Sequence, residues 1–174
     1  MTTTTDETAS NHETDNNHLE HEEHEQFLTF TLDDEEYGVD ILSVQEIRGW
    51  ELPTFLPNSP GYIKGVINLR GMIVPIMDLR ERFDVGELTY NEQTVVIVVR
   101  CCSTVLNRVI GMVVDSVSDV VSLAEHEIHS SPSVSSTVDP DFVLGLANLG
   151  KKVVTLLNLE ELAKIDEEEG GKAA

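Results

Sequence analysis

Few residues of this chain have the type and spacing for chemistry, and most of those fail on inspection. Gly145-Leu146-Ala147-Asn148-Leu149-Gly150-Lys151-Lys152 nearly matches a loop whose backbone N–H groups cradle a phosphate. It fails twice. Lys152 stands where a Ser or Thr hydroxyl must reach magnesium, and a β-rich run follows where a helix is required. His18, His21 and His24 could share a transition metal, but they lie among glutamates in a stretch with nothing to fix their geometry. His126 and His129 stand near Ser130 and Ser131 without a nucleophile-elbow sequence, and read as surface-loop residues. Cys101 and Cys102 are neighbours, so on a strand they point to opposite faces and do not bridge. Both read as small core residues in a reducing cytoplasm. No catalytic set, metal site or cofactor is expected.

Arg70 is the exception. With Gly71 beside it, it occupies the tip of an expected hairpin, and its guanidinium can make planar two-point contacts to carboxylates. It contacts a partner, or it is solvated, or it pairs with Glu46. An exposed pair alone contributes about 0–1 kcal/mol.

The elements that must carry Arg70 are short strands. Leu28, Phe30 and Leu32 alternate with Thr29 and Thr31, and Tyr37, Val39 and Ile41 alternate again after the polar turn Asp33-Asp34-Glu35-Glu36, so a hairpin is expected. Val44 and Ile47 are three apart, which predicts one helical turn over residues 43–47. Residues 63–69 and 72–77 flank Arg70-Gly71 as a second hairpin, and Pro75 predicts an edge strand or a bulge. Asp78-Leu79-Arg80-Glu81 reads as a capping box opening a short helix, and Asn158-Leu159-Glu160-Glu161 repeats the pattern at the other end. Residues 94–100 and 109–114 read as buried strands. Gly65, Gly71 and Gly145 are expected to serve backbone conformation, with Gly65 and Gly145 at structural turns.

Much of this occurs twice. Shifted by 80 residues, residues 60–81 lie over 140–161 with seven identities in 22 positions: Pro60, Gly65, Asn68, Leu69, Val74, Leu79 and Glu81. Ordinary residue frequencies give about one or two. Residues 42–47 resemble 115–120 at an offset of 73. The chain therefore holds two copies of one small unit, each of about five strands and a short helix, which suggests small barrels.

Composition bounds the partners. The chain has 174 residues and a net charge of −21. Residues 1–25 carry eight acids and no Lys or Arg, and residues 166–174 carry a net −3; both read as disordered acidic tails. The remaining 20 acids and 10 bases exclude a basic nucleic-acid face and argue against binding to an anionic membrane surface. No apolar run is long enough to span a bilayer, and the acidic N-terminus is not a signal peptide, so a cytoplasmic protein is expected.

The chain resembles the CheW-like chemotaxis coupling proteins over residues 26–165. The resemblance rests on Val44-Gln45-Glu46-Ile47, on Gly65-Val66-Ile67-Asn68-Leu69-Arg70-Gly71, on Val74-Pro75-Ile76-Met77-Asp78-Leu79-Arg80 and on Gly111-Met112-Val113-Val114-Asp115-Ser116-Val117. It implies a mainly β fold: two SH3-like five-stranded β-barrel subdomains on a shared core with short helices, the first over roughly residues 26–90 and the second over roughly 91–165. It implies a non-catalytic adaptor joining the cytoplasmic tips of chemoreceptors to the regulatory domain of the histidine kinase CheA, in arrays at the membrane but with no membrane insertion. It places receptor and kinase contacts at Val44, Glu46, Ile47, Asn68, Leu69, Arg70 and Gly71. The second half departs from the pattern, with Gly150 and Lys151 at the positions of Arg70 and Gly71, so the arginine's role belongs to the first half. Two other readings stay open: an adaptor in a parallel array with another output, and a small-ligand module using the groove between the barrels.

Overall fold

Eleven strands and two short helices are present among the residues described by this computed structural model, 22–130 and 138–165. The strands are β1 (His24–Leu32), β2 (Glu35–Asp40), β3 (Val44–Gly49), β4 (Ile63–Leu69), β5 (Met72–Asp78), β6 (Val95–Cys102), β7 (Asn107–Val114), β8 (Ser116–Ala124), β9 (Ile128–His129), β10 (Val143–Leu149) and β11 (Lys152–Leu157). The helices are α1 (Leu79–Phe83) and α2 (Leu159–Leu162). One sheet runs β8-β1-β2-β11-β10-β9 and the other β3-β6-β7-β5-β4. The fold is mainly β, in two units on a shared core, as expected.

The two sheets do not divide the chain at residue 90. The β1–β2 hairpin of the first half completes the sheet of β8–β11, and the β6–β7 hairpin of the second half completes the sheet of β3–β5. The exchange is symmetric to the residue. Ile76 of β5 pairs in parallel with Gly111 of β7, and Leu156 of β11 pairs in parallel with Gly38 of β2. These partners are related by the offsets of 80 and 73 seen in the sequence. Thr54 bridges Val66 much as His129 pairs with Leu146, although here only Val66 and Leu146 keep a repeat offset.

Three apolar clusters explain the strand sequences. Leu69, Val74, Ile76, Val96, Val98 and Val113 fill the first unit, with Trp50 packed against them. Phe27, Leu123, Ala147, Val154 and Leu156 fill the second. The largest cluster lies between the units and takes Phe30, Tyr37, Met77, Leu79, Ile97, Val99, Met112 and Leu157, among others. A strand such as β6 is buried on both faces because Val96 and Val98 face one interior while Ile97 and Val99 face the seam. That demands a continuous apolar run, which is what residues 95–99 are. At the seam Phe83 of α1 lies against Tyr37, with ring centroids 5.9 Å apart, and against Phe142 at 5.7 Å.

Several local expectations change. Residues 44–47 are strand, not a helical turn; the turn precedes them as a 3-10 segment, Ile41–Ser43, where Asp40 caps Leu42 N at 2.9 Å. The (i, i+3) spacing of Val44 and Ile47 misleads because an extra residue, Gln45, bulges the strand between Val44 and Glu46. Pro75 lies in an interior strand; the pairing of β5 with β7 starts only at Ile76, so no ladder partner stands beside the missing N–H. The bulge lies across from its neighbours, between Ile63 and Gly65 of β4. Asp78 and Asn158 cap α1 and α2 through Arg80 N (3.0 Å) and Glu160 N (3.1 Å). The glutamates expected to complete the boxes turn outward instead: Glu81 pairs with Lys64, and Glu161 with Lys164.

Gly65 and Gly145 sit at strand bulges, not turns. A Cβ on Gly65 would lie 2.2 Å from Thr54 O, and one on Gly145 would lie 2.8 Å from His129 O. The two bulges are closed by equivalent neighbouring segments. Cys102 is exposed while Cys101 is buried, so only one is a core residue. Residues 24 and 25, the last of the expected N-terminal tail, pair with Ala124 and Leu123 of β8. Backbone pairing needs no apolar side chain, so composition could not reveal it. His18, His21 and the rest of residues 1–21, together with residues 166–174, lie outside the described residues, as does most of the Ser- and Pro-rich loop before Val138.

Candidate partner-binding surface

Arg70 and Gly71 form the whole connection between β4 and β5, since Leu69 pairs with Met72. Both have left-handed φ angles, 50° and 83°. That is the geometry that matches a two-residue loop to the twist of the strands it joins. The Asn68 carboxamide oxygen accepts from Gly71 N at 2.8 Å and fixes the turn. Asn68 is exposed, and Leu69, with 7 % exposure, anchors the turn in the first interior. Leu69 therefore shapes this surface from beneath.

Glu46 reaches the turn from the opposite edge of the same sheet. The bulge at Gln45 decides its direction. Val44 lies opposite Val99 on the seam face, whereas Glu46 lies opposite Val98, on the face of the first interior. Val44 consequently packs half-buried against the shared core rather than standing free on the surface. Glu46 Oε2 lies 3.2 Å from Arg70 Nη2, and Oε1 lies 3.6 Å from Arg48 Nη1. Oε2 is buried and receives no hydrogen bond of good geometry, so the contact with Arg70 is an ion pair rather than a bidentate clamp. The Arg70 side chain is 84 % exposed and its donors are largely free. The pair joins β3 to the β4–β5 turn, the two edges of the five-stranded sheet, and so curls that sheet upon itself. Ile47, 47 % exposed, completes the outer face of β3. A hollow lined by Glu46, Arg48, Trp50 and Arg70 lies between.

The structure thus brings Glu46, Asn68, Arg70 and Gly71 together, with Ile47 beside Glu46 on β3 and Val44 and Leu69 turned inward. At the equivalent turn of the second half Gly150 takes the position of Arg70 with φ 63°, and the exposed cation there is Lys151, one position later. The Gly145–Lys152 stretch is strand, turn and strand, which removes the phosphate-loop geometry.

Sequence reading missed a buried charged cluster at the other end of β5. Asp78 is fully buried, with Tyr90 Oη donating to its Oδ2 at 2.8 Å. Arg80, 4 % exposed, places Nε 3.6 Å from Asp78 Oδ1 and Nη1 3.2 Å from Asp115 Oδ1, and donates to Glu87 O at 2.8 Å. Burial and the Asp78 carboxylate push the Tyr90 phenol well above its ordinary range. The (i, i+2) spacing of Asp78 and Arg80 was the available signal, but it reads equally well as a solvated helix start.

The family pattern described as CheW-like domain matches residues 26–167. Chemotaxis protein CheW of Klebsiella aerogenes is 47 % identical over 143 residues, spanning 82 % of this chain and 84 % of that protein. Its counterpart in Bacillus subtilis is 30 % identical over 150 residues, spanning 86 % and 92 %. The crystal structure of the scaffolding protein TtCheW from Thermoanaerobacter tengcongensis shares the fold with a TM-score of 0.76 and 33 % identity, covering 88 % of this chain and 96 % of that one. By pattern, relatives and fold alike, the chain belongs to the CheW-like family of chemotaxis coupling proteins.

Proposed function

We propose that the chain is a non-catalytic adaptor that couples the cytoplasmic tips of chemoreceptors to the regulatory domain of the histidine kinase CheA, with the Arg70 turn as a contact surface. At the level of the family, chemotaxis scaffolding is the shared activity. One observation carries the role of Arg70. The left-handed position that holds it costs an L-residue roughly 1–2 kcal/mol, and the second half fills the equivalent position with glycine at no such cost. A strained, 84 % exposed arginine with free donors is the pattern of a residue kept for contact rather than for folding. Burial supports an adaptor over a small-ligand module, since the groove between the units is filled by the apolar seam. No helix among the described residues is long and apolar enough to cross a membrane.

An adaptor of this kind acts by holding two partners in one geometry, so that a shift in one changes the conformational equilibrium of the other. The test is co-sedimentation of a receptor cytoplasmic fragment with CheA, with and without this chain, beside kinase autophosphorylation. The chain should raise both, and folded Arg70→Ala should lower both. A wild-type chain that neither joins the complex nor alters kinase activity would sink the reading.

A further inference from the structure

We infer that Tyr90 is a positioning residue for the partner surface, clamping Trp50 into place as the wall of the hollow beside Arg70; this deepens the adaptor reading and rests on it. Trp50 follows β3 directly and lines the hollow together with Glu46, Arg48 and Arg70. Its indole stacks on the Tyr90 ring with centroids 4.2 Å apart and planes 8° from parallel. Trp50 also packs against the first interior, so the stack is a second hold on the indole, and it holds only if Tyr90 is itself anchored. Tyr90 is anchored. It lies on residues 86–93, which form no strand or helix, yet its hydroxyl is fixed to the fully buried Asp78.

The anchor is held in turn. Asp78 caps α1 and pairs with Arg80, whose guanidinium lies 5.4 Å from the Tyr90 centroid and donates to Glu87 O in the same irregular segment. At the other end of that segment, Trp50 N donates to Thr94 O at 3.1 Å, and Asn91 N donates to Thr94 Oγ1 at 2.9 Å. The topology gives the clamp its consequence. β5 starts at the Arg70 turn and ends at Asp78, and β3 carries Glu46 and ends before Trp50, so Tyr90 ties together the far ends of the two strands that meet at the Glu46–Arg70 pair.

Trp50 is the single tryptophan of the chain, so intrinsic fluorescence reads its surroundings without a label. In the full chain, Tyr90→Ala should shift Trp50 emission to the red and raise its quenching by acrylamide. It should also weaken binding to the CheA regulatory domain by roughly three- to tenfold, the scale of one aromatic pair. Tyr90→Phe keeps the ring and loses the anchor, and should fall between Tyr90→Ala and wild type in both measurements. Trp50→Phe should weaken binding by a similar factor while leaving the Glu46–Arg70 pair in place. Melting curves run beside each variant identify any that fail to fold, and Tyr90→Phe then carries the comparison. Unchanged emission and quenching in folded Tyr90→Ala would overturn the clamp. Altered emission with wild-type affinity in both Tyr90→Ala and Trp50→Phe would overturn the link to the partner surface. A wild-type chain that binds no partner would defeat the adaptor reading and the link with it, while the fluorescence still decides the clamp.

Discussion

Leu69 and Arg70 are chain neighbours with opposite duties. Leu69→Ala should cost about 2–5 kcal/mol by opening a cavity in the first interior, lowering the melting midpoint and every activity together. Arg70→Gly should do the reverse. It relieves a left-handed L-residue and should leave the fold as stable or about 0.5–1 kcal/mol more stable, while partner binding falls. A melting curve and a binding isotherm for each variant check the split; a destabilised Arg70→Gly would show that the ion pair outweighs the strain. Tyr37 supplies a pH test. Its burial and the neighbouring Glu35 raise the phenol well above its ordinary value. The folded state then holds this proton more tightly than the unfolded chain. The resulting stability is full below the ordinary phenol range, about pH 10, and is lost as pH rises beyond it. Urea midpoints should fall above about pH 10, and Tyr37→Phe should flatten that fall.

The β4–β5 hairpin depends on its bulge as much as on its turn. Gly65 has φ 144°, and an added Cβ would meet the Thr54 carbonyl, which cannot yield without breaking the Thr54–Val66 bridge. Gly65→Ala should therefore be among the most damaging single-methyl changes, at about 2–4 kcal/mol, and should release residues 51–60 as well. Gly71→Ala meets open space and pays only for its left-handed φ, about 1–2 kcal/mol. Chemical denaturation of the two variants should rank them in that order. Hydrogen exchange at Thr54 N and Val66 N, whose amides bond each other's carbonyls, should accelerate in Gly65→Ala.

For the whole molecule, the exchanged hairpins make each half incomplete. Residues 22–93 alone would present β3–β5 without the β6–β7 hairpin, leaving β5 with no parallel neighbour and the first interior without Val96, Val98 and Val113. Neither half should unfold cooperatively by itself, and mixing the two should restore cooperative melting and sheet circular dichroism. Cooperative folding of an isolated half would mean that a half can close on its own hairpin. The seam adds to this dependence through α1, where Phe83 sits between Tyr37 and Phe142, and through Arg108 Nη1, which donates to Ala163 O at 2.8 Å.

Much of this was legible in the sequence because it is local. Alternating threonines and apolar residues marked β1, Arg70-Gly71 marked a two-residue turn, and Asp78 and Asn158 marked helix starts, each through interactions within a few residues. The duplication was legible because both copies bury equivalent side chains in equivalent places. The Gln45 bulge escaped because it is defined against Val98 and Val99, far along the chain, and it turns Glu46 toward Arg70. The clamp on Asp78 escaped because a buried carboxylate and an exposed helix cap are the same residue in the same motif. The exchange of hairpins could not be read at all. The two sheets present nearly equivalent edges, Ile76 in one and Leu156 in the other, to nearly equivalent strands around Gly111 and Gly38. Local pattern cannot say which edge a hairpin joins when both would accept it; only the packing of the whole chain around one seam decides.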